Sequence, residues 1–279
     1  MKKTFSWITI VIFIFVVALF LPFLGGVYFD LSGSPTEQAI NSKLEKENGH
    51  KQCLSYNLLD PEQAPSGIHD TVMLGFHIIS ETPKYAADYV GDELSCTNCH
   101  FSAGNTTGGR NGSISLAGIA AAYPAYSGRS GKVITLPERI NGCFQRSMNG
   151  KALPLDSREM DAMVTYLHWI SKNFPVYQPV PWRGLEGIRS SREPDPALGE
   201  KTFQAKCALC HGKDGEGGIR IPPLWGPTSF NDGAGMNRID TFAAFIYSNM
   251  PYEDPSLTKE EAYDVASYVT QKPRPKFED

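Results

Sequence analysis

Two five-residue runs, Cys96-Thr97-Asn98-Cys99-His100 and Cys207-Ala208-Leu209-Cys210-His211, constrain this chain more than any other feature. In each, two thiols are spaced to add to the vinyl groups of a porphyrin as thioethers. The adjacent histidine is then held under the ring to supply the proximal nitrogen to iron. Each run therefore reads as a covalent c-type haem attachment. Two haems make an electron-transfer protein. A redox dithiol or half a zinc site are the alternatives, and neither has the surrounding cysteine-rich pattern it would need.

The N-terminus argues for export. Lys2 and Lys3 precede an apolar run from Phe5 to Phe29, interrupted only by Ser6, Thr9, Pro22 and the Gly25-Gly26 pair. That run is long enough to span a bilayer. A cleavable signal peptide is the alternative; it usually has a shorter apolar core and a small-x-small site, and no Ala-x-Ala follows here, which favours an uncleaved anchor. The lysines stay in the cytoplasm, so everything after Asp30 faces the periplasmic side of a bacterial inner membrane. Haem attachment occurs on that same side. A net charge of −4 and the absence of a basic stripe exclude nucleic acid as a partner.

Caps and periodicity place the helices. Asp156 and Glu159 read as a capping box ahead of Met160, Met163, Val164, Leu167 and Ile170, a 3.6-residue stripe that stops at Pro175. Thr258 and Glu261 open a second helix carrying Ala262, Val265, Ala266 and Val269, closed by Pro273. Between the halves, Pro179, Pro181, Gly184, Gly187 and Pro194 punctuate a stretch without apolar period. Each half has a haem run, a loop-rich stretch and a terminal amphipathic helix. The expected fold is all-α, with an N-terminal membrane anchor or signal segment over 1–30, a first cytochrome c domain over 31–178, a linker over 179–196 and a second cytochrome c domain over 197–279.

The second half resembles a class I cytochrome c domain. Gly199-Glu200-Lys201-Thr202-Phe203 leads into its haem run, His211-Gly212-Lys213-Asp214-Gly215-Glu216-Gly217 follows it, and the Thr258 helix ends it. Candidates for the sixth iron ligand are Met236 and Met250, since a neutral thioether favours ferrous iron and raises the potential. The resemblance favours Met250, on a Met-Pro loop ahead of the C-terminal helix. Either methionine also reads as core filling.

In the first half, Arg139-Ile140-Asn141-Gly142-Cys143-Phe144-Gln145-Arg146-Ser147-Met148-Asn149-Gly150 places Cys143 43 residues after His100. With Tyr123-Pro124-Ala125-Tyr126 and the two-haem layout, this resembles the thiosulfate dehydrogenase and tetrathionate reductase family of dihaem cytochromes. The resemblance implies that Cys143 is the distal ligand of the first haem iron and that Arg129 and Arg139 line a pocket for sulfur oxyanions. It implies two covalent c-type haems, thiosulfate or tetrathionate as substrate, and an external electron carrier such as a small cytochrome. The implied iron ligands are then His100 with Cys143 and His211 with Met250.

The chemistry is consistent with that expectation. An iron-bound or arginine-flanked cysteine is a thiolate, and an anionic ligand lowers a haem's potential relative to a methionine-ligated one. Thiosulfate is a dianion, and bringing two together requires cations such as guanidinium groups to offset their repulsion. Ser147, a helical turn beyond Cys143 if this stretch is helical, adds a hydrogen-bond donor. Without the resemblance, Arg129 and Arg139 read as a solvated face or contacts to a haem propionate.

Cys53 is the other spare cysteine, and a Cys53–Cys143 disulfide is the competing reading in an oxidising compartment. His77 and Met148 would then be the fallback distal ligands. His50, His69 and His168 read as surface or core residues. Asn249 stands where some family members carry a lysine that competes for the second iron, so plain histidine and methionine coordination is expected. The rival function is a non-catalytic dihaem carrier in a respiratory chain; a dihaem peroxidase lacks an identifiable distal histidine with a supporting acid. The carrier needs a closed first haem, the enzyme an anion pocket beside Cys143.

Overall fold

A computed structural model describes residues 57–278, which lie within one compact unit. Its two cores are each built around a crossed helix pair. In the first half α1 (His69–Ser80) and a short α2 (Thr82–Tyr85) precede the first haem loop, followed by α3 (Leu136–Arg146) and α4 (Arg158–Trp169). In the second, α5 (Pro196–Lys206) and a short α6 (Ala208–His211) carry the haem run, and α7 (Ile239–Asn249) and α8 (Lys259–Thr270) close the fold.

The crossings repeat. α1 packs on α4 and α5 on α8, and each contact depends on a glycine in the earlier helix. A Cβ at Gly75 would collide with the Ala162 carbonyl, and one at Gly199 with the Asp264 carbonyl. Around these crossings lie Val72, Ile78, Phe144, Met160 and Tyr166 in the first core, and Phe203, Phe242, Phe245, Ala262 and Val269 in the second. Gly75→Ala is expected to lower stability by about 2–3 kcal/mol, because backbone rather than a flexible side chain must move to admit the methyl. Urea unfolding monitored by far-UV circular dichroism measures this, and an unchanged midpoint would mean that the close crossing does not exist.

Several sequence expectations hold locally. The Thr258 and Glu261 capping box forms on α8, and Ala262, Val265, Ala266 and Val269 are buried along one face. On α4 Met160, Met163, Leu167 and Ile170 are buried, but the N-cap is Ser157, not Asp156. Ser157 Oγ accepts from Met160 N–H at 3.2 Å, a reach that fixes the helix start one residue later. Nothing in the sequence marks α1, whose N-cap, Ile68, makes no side-chain capping bond.

The all-α expectation needs one correction. Ala125–Ser127 (β1) and Lys132–Ile134 (β2) pair antiparallel, Tyr126 opposite Val133. Strands of three residues are too short to show period-two alternation, so the sequence did not reveal the hairpin. The stretch between the halves has no helix or strand over residues 176–195. It is nonetheless packed, with Val180 and Trp182 against Ala117, Ala121 and Phe174, and Leu185 and Ile188 against the second core. Among the described residues no helix is long and apolar enough to cross a membrane. The Phe5–Phe29 run, His50 and Cys53 lie outside the described residues.

Candidate active site: two haem loops and an arginine-lined cysteine

The two attachment runs hold their histidines alike. A 3-10 turn over Cys96–Asn98 presents the first run, held by a Ser95 and Asn98 capping box; the second run starts at the end of α5. His100 Nδ1 lies 2.7 Å from the Ile114 carbonyl and His211 Nδ1 3.2 Å from the Pro222 carbonyl. A carbonyl oxygen only accepts, so Nδ1 carries the proton in each ring and Nε2 keeps its lone pair. That is the tautomer an iron ligand needs. Burial pushes the His100 imidazole down to about 4 and lowers that of His211, so both rings are neutral. These donor sets fit two covalently attached c-type haems, with thioethers at Cys96, Cys99, Cys207 and Cys210.

Cys143 sits beside the first loop. It is carried by α3, whose start is fixed by a capping box between Thr135 and Glu138, worth about 1 kcal/mol. Desolvation pushes the Cys96 and Cys99 thiols up to about 12, and Cys143 is close enough to add to both shifts. Its own thiol is free. Arg139, one turn earlier, donates from Nη1 to Cys143 Sγ at 2.8 Å. The Arg139 guanidinium is raised above its ordinary range, chiefly by its electrostatic interaction with Cys143.

Three more guanidinium groups gather here. Arg129, on the hairpin turn, donates to the Gly233 carbonyl of the second half. Its pKa is lowered by desolvation first and then by Arg146, Arg238 and Arg139, with Cys143 opposing them. Arg146 folds back along α3, where a Cβ at Gly142 would collide with it, and lies 5.3 Å from the Phe277 ring centre. Arg238 caps α7 and bonds Thr241 Oγ1. Among the described residues none of the four forms an ion pair with a carboxylate. Arg129, Arg139 and Arg238 are exposed and Arg146 is half-buried, so a small anion can reach them.

Arg146 and Arg238 escaped the sequence reading. Arg146 had a signal, since positions 139, 143 and 146 share one helix face. Arg238 had none, being brought in from the other half by tertiary packing. Ser147 follows α3 in helical conformation, its N–H bonded to the Cys143 carbonyl, which puts it one turn beyond the cysteine as expected.

The remaining candidates separate clearly. Met148 is buried against Cys96, Sγ to Sδ 3.8 Å. His77 stacks on Tyr85 with ring centres 5.5 Å apart. His69 faces Glu62 and Asp70, and His168 is exposed. Met236 is buried within the second core, whereas Met250 caps α7 and is only partly buried.

Two haem-attachment runs on crossed-helix cores, the first beside a cysteine that accepts a hydrogen bond from an arginine, define a dihaem c-type cytochrome. Residues 84–176 match the family described as SoxA/TsdA, cytochrome c domain, and residues 194–269 match cytochrome C oxidase, cbb3-type, subunit III. The chain is 42% identical over 223 residues to the thiosulfate dehydrogenase of Allochromatium vinosum, covering 77% of this chain and 83% of that one. It belongs to the thiosulfate dehydrogenase family. The Thiomonas intermedia thiosulfate dehydrogenase is 47% identical over 211 residues, covering 73% of this chain and 66% of that protein. The solved thiosulfate dehydrogenase (TsdBA) from Marichromatium purpuratum superposes with a TM-score of 0.73 at 34% identity, covering 78% of this chain. The match spans about half of that longer solved chain, 49%.

Proposed function

We propose that this chain interconverts thiosulfate and tetrathionate, two thiosulfate dianions giving one tetrathionate dianion and two electrons. The observation that carries this reading is the Arg139 to Cys143 hydrogen bond beside Arg129, Arg146 and Arg238, none of which pairs with a carboxylate among the described residues. Such a site holds the sulfonate ends of dianions by charge-assisted, directed bonds and offsets the repulsion between them.

Cys143 acts as the nucleophile and would be the sulfur ligand of the first iron. Its thiolate bonds the outer sulfur of one thiosulfate, releasing two electrons and leaving a cysteine S-thiosulfonate of charge −1. A second thiosulfate attacks the outer sulfur of that adduct; the bond to Cys143 Sγ breaks, tetrathionate leaves, and the thiolate returns. Cys96, Cys99 and His100 would hold one haem and Cys207, Cys210 and His211 the other, and bound there they would supply one-electron redox chemistry. Arg129 and Arg139 position the first anion, with Ser147 as a further donor, and Arg146 and Arg238 widen the site for the second. Met250, only partly buried, would complete the second iron's coordination, whereas Met236 is buried in the core. An external carrier such as a small cytochrome takes the electrons, or supplies them in the reverse direction. The Phe5–Phe29 segment anchors the chain with its haem domains on the periplasmic side.

Purified dihaem protein is expected to reduce a dye with thiosulfate and oxidise one with tetrathionate; absence of both activities would leave the carrier function instead. Arg146→Ala and Arg238→Ala are each expected to raise KM about tenfold, the worth of one charge-assisted hydrogen bond, with kcat nearly unchanged. Steady-state kinetics at two salt concentrations checks this, since screening should raise KM of the parent more than of the variants. Unaltered KM in both variants would remove these arginines from the site.

A further inference from the structure

Asn249 is fully buried and both ends of its amide are bonded. Nδ2 donates to the Phe245 carbonyl one turn back on α7 at 3.0 Å, and Oδ1 accepts from Ser113 N–H at 2.9 Å. Ser113 belongs to the first haem loop. It is buried at φ 54°, in the left-handed region that a Cβ disfavours, so something must hold it there. Its Oγ accepts from Phe101 N–H at 2.8 Å, next to His100, and its neighbour Ile114 supplies the carbonyl that fixes His100.

On the other side, Asn249 directly precedes Met250, whose N–H ends α7 on the Ile246 carbonyl at 2.8 Å. The grip extends around it. Asn111 N–H bonds the Ser248 carbonyl at 2.8 Å, and the Phe101 ring lies edge-on to Phe245 and Tyr252, at 6.1 and 5.2 Å between centres.

We propose that Asn249 is a positioning residue that couples the axial ligands of the two haems, holding His100 firmly on its carbonyl and Met250 firmly at its loop. This rests on His100 and Met250 being ligands of the first and second irons. A strong Nδ1–H bond makes a histidine a better donor to iron, which lowers the potential of the first haem. A firmly seated thioether raises that of the second. One amide thereby widens the gap that drives electrons from the first haem to the second.

The test is an optical redox titration of the full dihaem protein carrying Asn249→Leu, which keeps the volume and removes both bonds. The first haem's potential should rise and the second's fall, with a weaker methionine-to-iron charge-transfer band. Ser113→Ala, which leaves its N–H on Asn249 but frees Phe101 N–H, should raise only the first potential. The Ser113→Ala and Asn249→Leu shifts of the first haem should be less than additive in the double variant. A shift confined to the second haem, or a lowered melting temperature with neither potential moved, would overturn the coupling. Met250→Gly serves as the separate control: if it leaves the second haem's potential and charge-transfer band intact, the ligand assignment fails instead.

Discussion

Cys143→Gly is expected to retain both covalent haems and lose roughly 10^3-fold or more in thiosulfate and tetrathionate turnover, about 4 kcal/mol of transition-state stabilisation. On the proposed mechanism, removing the sulfur takes away a nucleophile and an anionic iron ligand together, and no neighbouring group replaces either. Arg139 loses its acceptor at the same time, since its Nη1 bond ends on Sγ. Glycine in the middle of α3 costs only about 1 kcal/mol of helix stability. The capping box at Thr135 and the packing of Phe144 in the first core keep the helix in place. The decisive measurements are turnover and haem content per chain on the same preparation. Full activity in the variant, or a Cys53–Cys143 disulfide detected by mass spectrometry in active enzyme, would refute the mechanism.

The double substitution Cys96→Ala with Cys99→Ala is expected to halve the covalently retained haem and abolish turnover. Haem staining after denaturing electrophoresis, with the spectrum of the native protein, reads both. Only the thioethers survive denaturation, so non-covalent binding through His100 does not mask the loss. The second haem should keep its spectrum, because its own run, Cys207 at the end of α5 and Cys210 and His211 on α6, is left unchanged, with Cys207 packed in the core of Phe203 and Trp225. Retention of two covalent haems would sink the attachment assignment. The matching Cys207→Ala with Cys210→Ala pair should leave the Cys143 site intact and stop electrons at the first haem.

The contrast between these two predictions lies in what reports each site. The attachment runs are written in five consecutive residues, and their chemistry follows from spacing alone. The proposed anion site draws on α3, the hairpin turn and the N-terminus of α7. It rests on cations brought together without carboxylate partners among the described residues, which only folded geometry can show.

By itself, the sequence determined the two haem runs, the caps and buried stripes of α4 and α8 to within a residue, and Cys143 with Arg139 one turn before it. These are local signals: covalent spacing, side chains that reach a backbone N–H three residues on, and apolar residues recurring at the period of a helix. Tertiary structure alone decided the rest. It crossed α1 on α4 at Gly75, brought Arg238 to Arg129, and closed the Asn249 amide on Ser113 N–H. The physical reason is that these contacts join residues far apart along the chain. Which distant groups meet is set by how two cores pack, and packing leaves no period or motif in the segments it joins.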